Sequence, residues 1–129
     1  MRILLYGSLW QHVMDSLVFC NFVPLSSDDI VELMRVVTGW NTNLFELMKD
    51  AERYITMARL FNIREGKGTQ GALPKRFFTP FTTGPLKGVA PTEKQVSDAI
   101  KTYYGMLGWD INGVPTAAKL GELGIELKA

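Results

Sequence analysis

Asn43-Leu44-Phe45-Glu46-Leu47-Met48-Lys49-Asp50-Ala51-Glu52-Arg53-Tyr54-Ile55-Thr56-Met57-Ala58-Arg59-Leu60-Phe61-Asn62-Ile63-Arg64-Glu65-Gly66 is the stretch that decides the fold class. Leu44, Leu47, Met48, Ala51, Ile55, Ala58 and Phe61 recur at three- and four-residue steps, which places them on one broad face of a helix. Asn43 and Glu46, three residues apart, make a reciprocal cap at its start, and Gly66 stops it. The spacing predicts a helix from about Leu44 to Arg64, roughly 30 Å long at 1.5 Å per residue.

The pattern on either side is of the same kind. Leu5, Leu9, Val13 and Leu17 follow at four-residue steps, predicting a first helix that ends near Asn21 to Pro24 and carries Cys20 at its carboxy-terminal end. Ser26 or Ser27 then caps a second helix, with Asp28 and Asp29 favourably placed against its dipole and Gly39 ending it. Beyond the long helix, residues 66–91 hold five glycines, four prolines and four threonines with neither helical nor strand periodicity. A connection of this length is uncommon inside a compact domain, and Phe77, Phe78 and Phe81 argue against plain disorder. It reads as a strap lying across the helices or across a neighbouring domain. Pro91-Thr92, with Gln95 three residues after Thr92, opens another helix that Gly108 ends, and a short last helix runs from Pro115-Thr116 to near Gly124. The expected architecture is all-α: an irregular single domain over residues 1–129, with about four or five helices and one long Gly/Pro-rich loop.

Composition removes several classes of function. Fourteen basic against thirteen acidic residues leave a formal charge of +1, and neither sign gathers in a block, so nothing in the chain asks for nucleic acid. No apolar run approaches the roughly eighteen residues a membrane span needs, and the start lacks a secretory cleavage pattern. The single cysteine cannot form an internal disulfide, which suits a reducing cytoplasm. Phosphate-binding glycine loops, paired His-Cys zinc spacings and a glycine-x-serine-x-glycine elbow are all missing from the sequence.

Taken on residue chemistry alone, Cys20 reads as a buried small hydrophobe, since one thiolate cannot hold an iron-sulfur cubane. Asp15 reads as a carboxylate on a helix surface. His12 lies one turn before Asp15, a spacing that would allow an acid/base dyad, but an exposed helical histidine is the simpler account. The arginines of Arg59-Leu60-Phe61-Asn62-Ile63-Arg64-Glu65-Gly66 are suited to pinning loop carbonyls and carboxylates, with Glu52 and Arg53 serving likewise. Trp40 and Trp109, each following a glycine after a helix, read as core or interface packing residues.

Asp15-Ser16-Leu17-Val18-Phe19-Cys20, Thr38-Gly39-Trp40, Glu52-Arg53, the Arg59 to Gly66 run, Leu73-Pro74-Lys75-Arg76 and Tyr103-Tyr104-Gly105-Met106-Leu107-Gly108-Trp109-Asp110 occur in order. Together, over roughly Leu9 to Leu127, the series resembles the carboxy-terminal helical domain of the aldehyde:ferredoxin oxidoreductase family, whose members carry tungsten on a pterin cofactor beside an iron-sulfur cluster. That resemblance implies a tungsten (or molybdenum) bis-pterin and a 4Fe-4S cluster in the full enzyme, and none in this chain alone. In the family the fourth cluster cysteine follows an Asp-x-x-Gly-Leu pattern, and the other three come from an earlier Cys-x-x-Cys-x-x-x-Cys run. The carry-over assigns Cys20 as a metal ligand and Asp15 as the acceptor of hydrogen bonds from pterin amino groups. Phe19 stands at the cofactor-contacting leucine and Val18 at the glycine, a residue that permits close backbone approach. No catalytic residue is assigned within the chain. The implied partners are the missing amino-terminal domains, ferredoxin and a small aldehyde, and an apolar face left uncovered over Leu9 to Phe22 implies either self-association through that segment or a different fold of it from that in the whole enzyme. The competing reading is a stand-alone helical interaction or scaffold module that has lost the chemistry.

Overall fold

The computed structural model describes residues 1–67 and 73–126. Among these residues five α-helices follow in order: α1 (Arg2–Ser16), α2 (Ser27–Thr38), α3 (Leu44–Arg64), α4 (Glu93–Met106) and α5 (Ala117–Glu122). A 3₁₀ turn, Lys75–Phe78, lies between α3 and α4. Among the described residues there is no strand, only the isolated bridges of Phe81 with Lys87 and Trp109 with Pro115.

The start signals act where the sequence places them. Ser26 accepts from the Asp29 amide and the Asp29 carboxylate accepts from the Ser26 amide, and the same reciprocal box joins Asn43 to Glu46 and Thr92 to Gln95. Hydrogen bonds from the Ser26 side chain and backbone hold the Asp29 carboxyl below its ordinary value. Each box satisfies amides at a helix start that would otherwise lack an intrahelical partner.

α3 packs chiefly on α1 and secondarily on α2. The four-residue ladder of α1 forms the inner face: Leu5, Leu9 and Val13 are buried with Met14, joined by Ile30 and Val31 of α2, Leu47 and Ala51 of α3, and Leu107 just after α4. Burying one such leucine contributes about 2 kcal/mol. Only the first part of the apolar face expected on α3 goes inward. Leu47 and Ala51 are buried, whereas Ala58 and Phe61 are exposed; in the far half of that helix it is the side bearing Thr56 and Arg59 that the rest of the chain covers.

The first helix is shorter than its spacing suggests. It ends at Ser16, so Cys20 stands in a loop and not on the helix. The strap differs too: within the described part of residues 66–91, positions 73–77 and 79–89 are exposed, so it does not lie across this chain's helices, and residues 68–72 fall outside the described residues.

The carboxy-terminal third is secured to α3 by arginines. Arg59 donates through Nε to the Gly113 carbonyl at 2.8 Å and through Nη2 to the Asn112 carbonyl at 3.2 Å. Its guanidinium lies 5.5 Å from the Tyr104 ring centre and 5.6 Å from that of Trp109. Arg53 donates to the carbonyls of Leu123 and Gly124. Between these ties, the buried Glu52 carboxylate accepts from Lys49 and Lys119, both at 2.7 Å. Glu122 closes the group by pairing with both lysines.

Candidate functional site

Asp15 and Cys20 flank the turn that ends α1, and the backbone of that turn is what relates them. Phe19 N–H donates to the Met14 carbonyl at 3.0 Å and Val18 N–H to the Asp15 carbonyl at 3.1 Å. This pair of bonds is a Schellman motif, which requires a left-handed residue just past the helix end. Here that residue is Val18, with φ +57°, the only residue other than glycine at positive φ among the described residues. Helices α3, α4 and α5 close with the same pair of bonds, and there Gly66, Gly108 and Gly124 occupy the left-handed position. A β-branched residue is strained there by about 1–2 kcal/mol. The strain is local, and the turn itself favours glycine at this position without any appeal to cofactor approach.

Phe19, next in the motif, is half-buried and packs against the core cluster that contains Met14. Val18 points outward, 90% exposed. Cys20 is an exposed free thiol, so the reading of it as a buried hydrophobe is corrected.

The Asp15 carboxylate is exposed, with a hydrogen bond on one side and a histidine beyond hydrogen-bond distance on the other. Gln11 Nε2 donates to its Oδ1 at 2.8 Å, and His12 Nδ1 lies 3.7 Å from its Oδ2. His12 is half-buried, in place of the exposed position expected, with its ring 5.3 Å from that of Tyr54. Asn21, beside Cys20, donates through Nδ2 to Gln11 Oε1 at 3.3 Å. Neither Gln11 nor Asn21 stands out in the sequence. The four-residue step from Gln11 to Asp15 is a recognisable helical pair, whereas the bond across ten residues to Asn21 depends on a turn that carries no glycine to announce it.

As a cofactor site this is one wall. A single exposed thiol matches one of the four ligands a cubane needs, and an outward carboxylate with open lone pairs matches one acceptor for amino groups. Among the described residues no three His, Cys, Asp or Glu side chains gather into a metal site. The residues present therefore fit one corner of a cluster site and one contact of a pterin site. Of the two tryptophans that follow glycines, Trp109 packs against the core, and Trp40 is exposed.

A helical domain whose exposed thiol and carboxylate bracket a left-handed turn is the class of protein defined so far. Residues 1–125 match the family model described as aldehyde ferredoxin oxidoreductase, domains 2 & 3, and the chain belongs to that family. It is 31% identical over 127 residues to an aliphatic sulfonate oxidoreductase, WOR-like subunit, of Pyrococcus furiosus, covering 92% of this chain and 20% of that protein. It is 33% identical over 119 residues to a tungsten-containing aldehyde ferredoxin oxidoreductase of Pyrococcus horikoshii and 34% over 118 residues to one of Pyrococcus furiosus. Each of those two alignments covers 88% of this chain and 19% of the relative. The chain thus spans about a fifth of the length of the curated relatives it matches. No described helix is long and apolar enough to cross a membrane.

Proposed function

We propose that residues 1–129 form the carboxy-terminal helical domain of a cytoplasmic, tungsten- or molybdenum-dependent oxidoreductase that converts an aldehyde to a carboxylic acid with ferredoxin as acceptor. The observation that carries this reading is the turn at Val18, a Schellman motif that contains Asp15 and is followed at once by Cys20, at the separation that the resemblance gives for a pterin contact and a cluster ligand. The names of the relatives lend the substrate and the acceptor.

In this reading the Cys20 thiolate is one ligand of a 4Fe-4S cluster, and three further cysteines come from outside this chain. Asp15 accepts hydrogen bonds from the amino groups of one pterin, and Phe19 seals the inner side of the turn. When bound, the metal-pterin would supply two-electron oxidation chemistry, aldehyde and water giving carboxylic acid, two protons and two electrons, and the cluster would supply a route for the electrons to ferredoxin. The part played by this chain is orientation. The Schellman turn fixes the backbone between Asp15 and Cys20, and the Phe19 contact with the core keeps that turn from opening.

Cys20→Ser, made in the enzyme that also contains the other three cysteines, tests the assignment. Loss of most cluster iron and of electron transfer to ferredoxin, with a melting temperature nearly unchanged, is expected, because the thiol is exposed and contributes little to packing. Full iron content with unchanged electron transfer overturns it.

A further inference from the structure

A single side chain joins the two candidate cofactor contacts. Asp15 is an acceptor only, so the Gln11 amide must turn its NH₂ toward that carboxylate, which leaves its oxygen to face the other way. That oxygen accepts from Asn21 Nδ2 at 3.3 Å, while Nε2 donates to Asp15 Oδ1 at 2.8 Å. The two bonds run in series from the residue adjoining Cys20, through one planar amide, to the carboxylate. On the opposite side His12 Nδ1 lies 3.7 Å from Asp15 Oδ2, with the imidazole set against Tyr54 of α3. The carboxylate is thereby bounded on both flanks, and only the Gln11 flank reaches the cysteine loop.

A helical Gln-Asp pair alone would need no Asn21, and a tether of the loop to α1 alone would need no Asp15. We propose that Gln11 is a positioning residue that fixes the Asp15 carboxylate and couples it to the loop carrying Cys20, so that a change at one contact is felt at the other. The inference rests on the roles proposed above for Asp15 and Cys20, yet the coupling is a property of the chain without cluster or pterin.

The test uses the whole chain and two readouts: the rate at which an aromatic disulfide reagent modifies Cys20, and the NMR shifts of the Asn21 side-chain amide. Each is compared with and without Asp15→Ala. Three Gln11 backgrounds separate the arms. Gln11→Lys keeps a donor for Asp15 and loses the acceptor for Asn21, Gln11→Glu does the reverse, and Gln11→Met removes both. With Gln11 present, Asp15→Ala is expected to change the Cys20 rate about 1.5- to twofold, the scale of an exposed helical pair, and to move the Asn21 resonances. In all three variant backgrounds Asp15→Ala should leave both readouts in place. An equal response in every background, or none with Gln11 present, overturns the proposal. Because Gln11 is exposed, its variants are expected to fold, and the comparison of Asp15→Ala with the unmodified chain decides the matter even where one of them does not. Absence of coupling would leave the iron assignment of Cys20 standing, and intact coupling would not rescue that assignment if Cys20→Ser kept its iron.

Discussion

Val18 carries the sharpest consequence at the scale of one residue. It holds a left-handed conformation that glycine adopts without a Cβ penalty, and its own side chain is almost wholly solvated, so replacing it loses no packing. Val18→Gly is expected to stabilise the chain by about 0.5–1 kcal/mol after glycine's greater unfolded-state entropy is deducted, read as a higher urea midpoint at constant slope. A lower midpoint would mean that the turn is held by Val18 and not despite it. Glu122 gives the pH counterpart. Hydrogen bonds from Lys119 and then Lys49 lower its carboxyl from 4.5 to about 2. A carboxyl depressed on folding contributes stability that is present above its unfolded value and is lost as pH falls toward its folded one. Stability should therefore decline between about pH 4.5 and pH 2, and Glu122→Gln should flatten that part of the acid profile while leaving the neutral part modestly lower. An identical acid slope in both proteins would remove Glu122 from the account.

Among the elements, the tie from α3 to the loop after α4 depends on the shape of guanidinium rather than on charge. Arg59 serves two carbonyls while lying over two aromatic rings, and a lysine ammonium cannot do all of this from one position. Arg59→Lys should lose most of what Arg59→Ala loses, about 1–2 kcal/mol in urea unfolding, and near-native stability of the lysine variant would show that charge suffices. This region also marks how far the sequence can be read. The bounds of α3 and the caps of α2, α4 and α5 follow from local signals: Asn43 with Glu46, Ser26 with Asp29, Thr92 with Gln95, Thr116, and a glycine after the last turn. The pinning role of Arg53 and Arg59 is legible from guanidinium chemistry, but their partners lie more than fifty residues away and no local pattern names them. The end of α1 is misread for the opposite reason. The stop there has the geometry of the others, but valine stands where glycine would announce it. Of the candidate site, Asp15 and Cys20 are visible through family spacing, whereas Gln11 and Asn21 depend on that unannounced turn.

At the scale of the whole molecule, the apolar surface is divided between an interior and an outside that nothing in the described chain covers. The expected uncovered face over Leu9 to Phe22 is only half of that: Leu9, Val13 and Met14 are buried, while Val18 and Phe22 stand in solvent. Further exposed apolar side chains are Ile3, Leu4 and Tyr6 on α1, and Leu33, Val36, Val37 and Trp40, which follow one another at helical spacing along and just past α2. Surfaces of this kind are usually covered by a partner. The chain alone is expected to bind a hydrophobic dye and to sediment as more than a monomer at micromolar concentration, with Val37→Glu weakening both effects. A dye-silent monomer would mean that these side chains are tolerated in water. The arginine ties described above have one more consequence. Because α3 grips the segments after α4 through backbone carbonyls, and the intervening stretch from 79 to 89 is exposed, a protease cut in that stretch would leave two pieces that still recognise each other. Continuity of the chain there serves to raise the local concentration of one piece about the other, and the nicked protein could be reassembled from separately made halves.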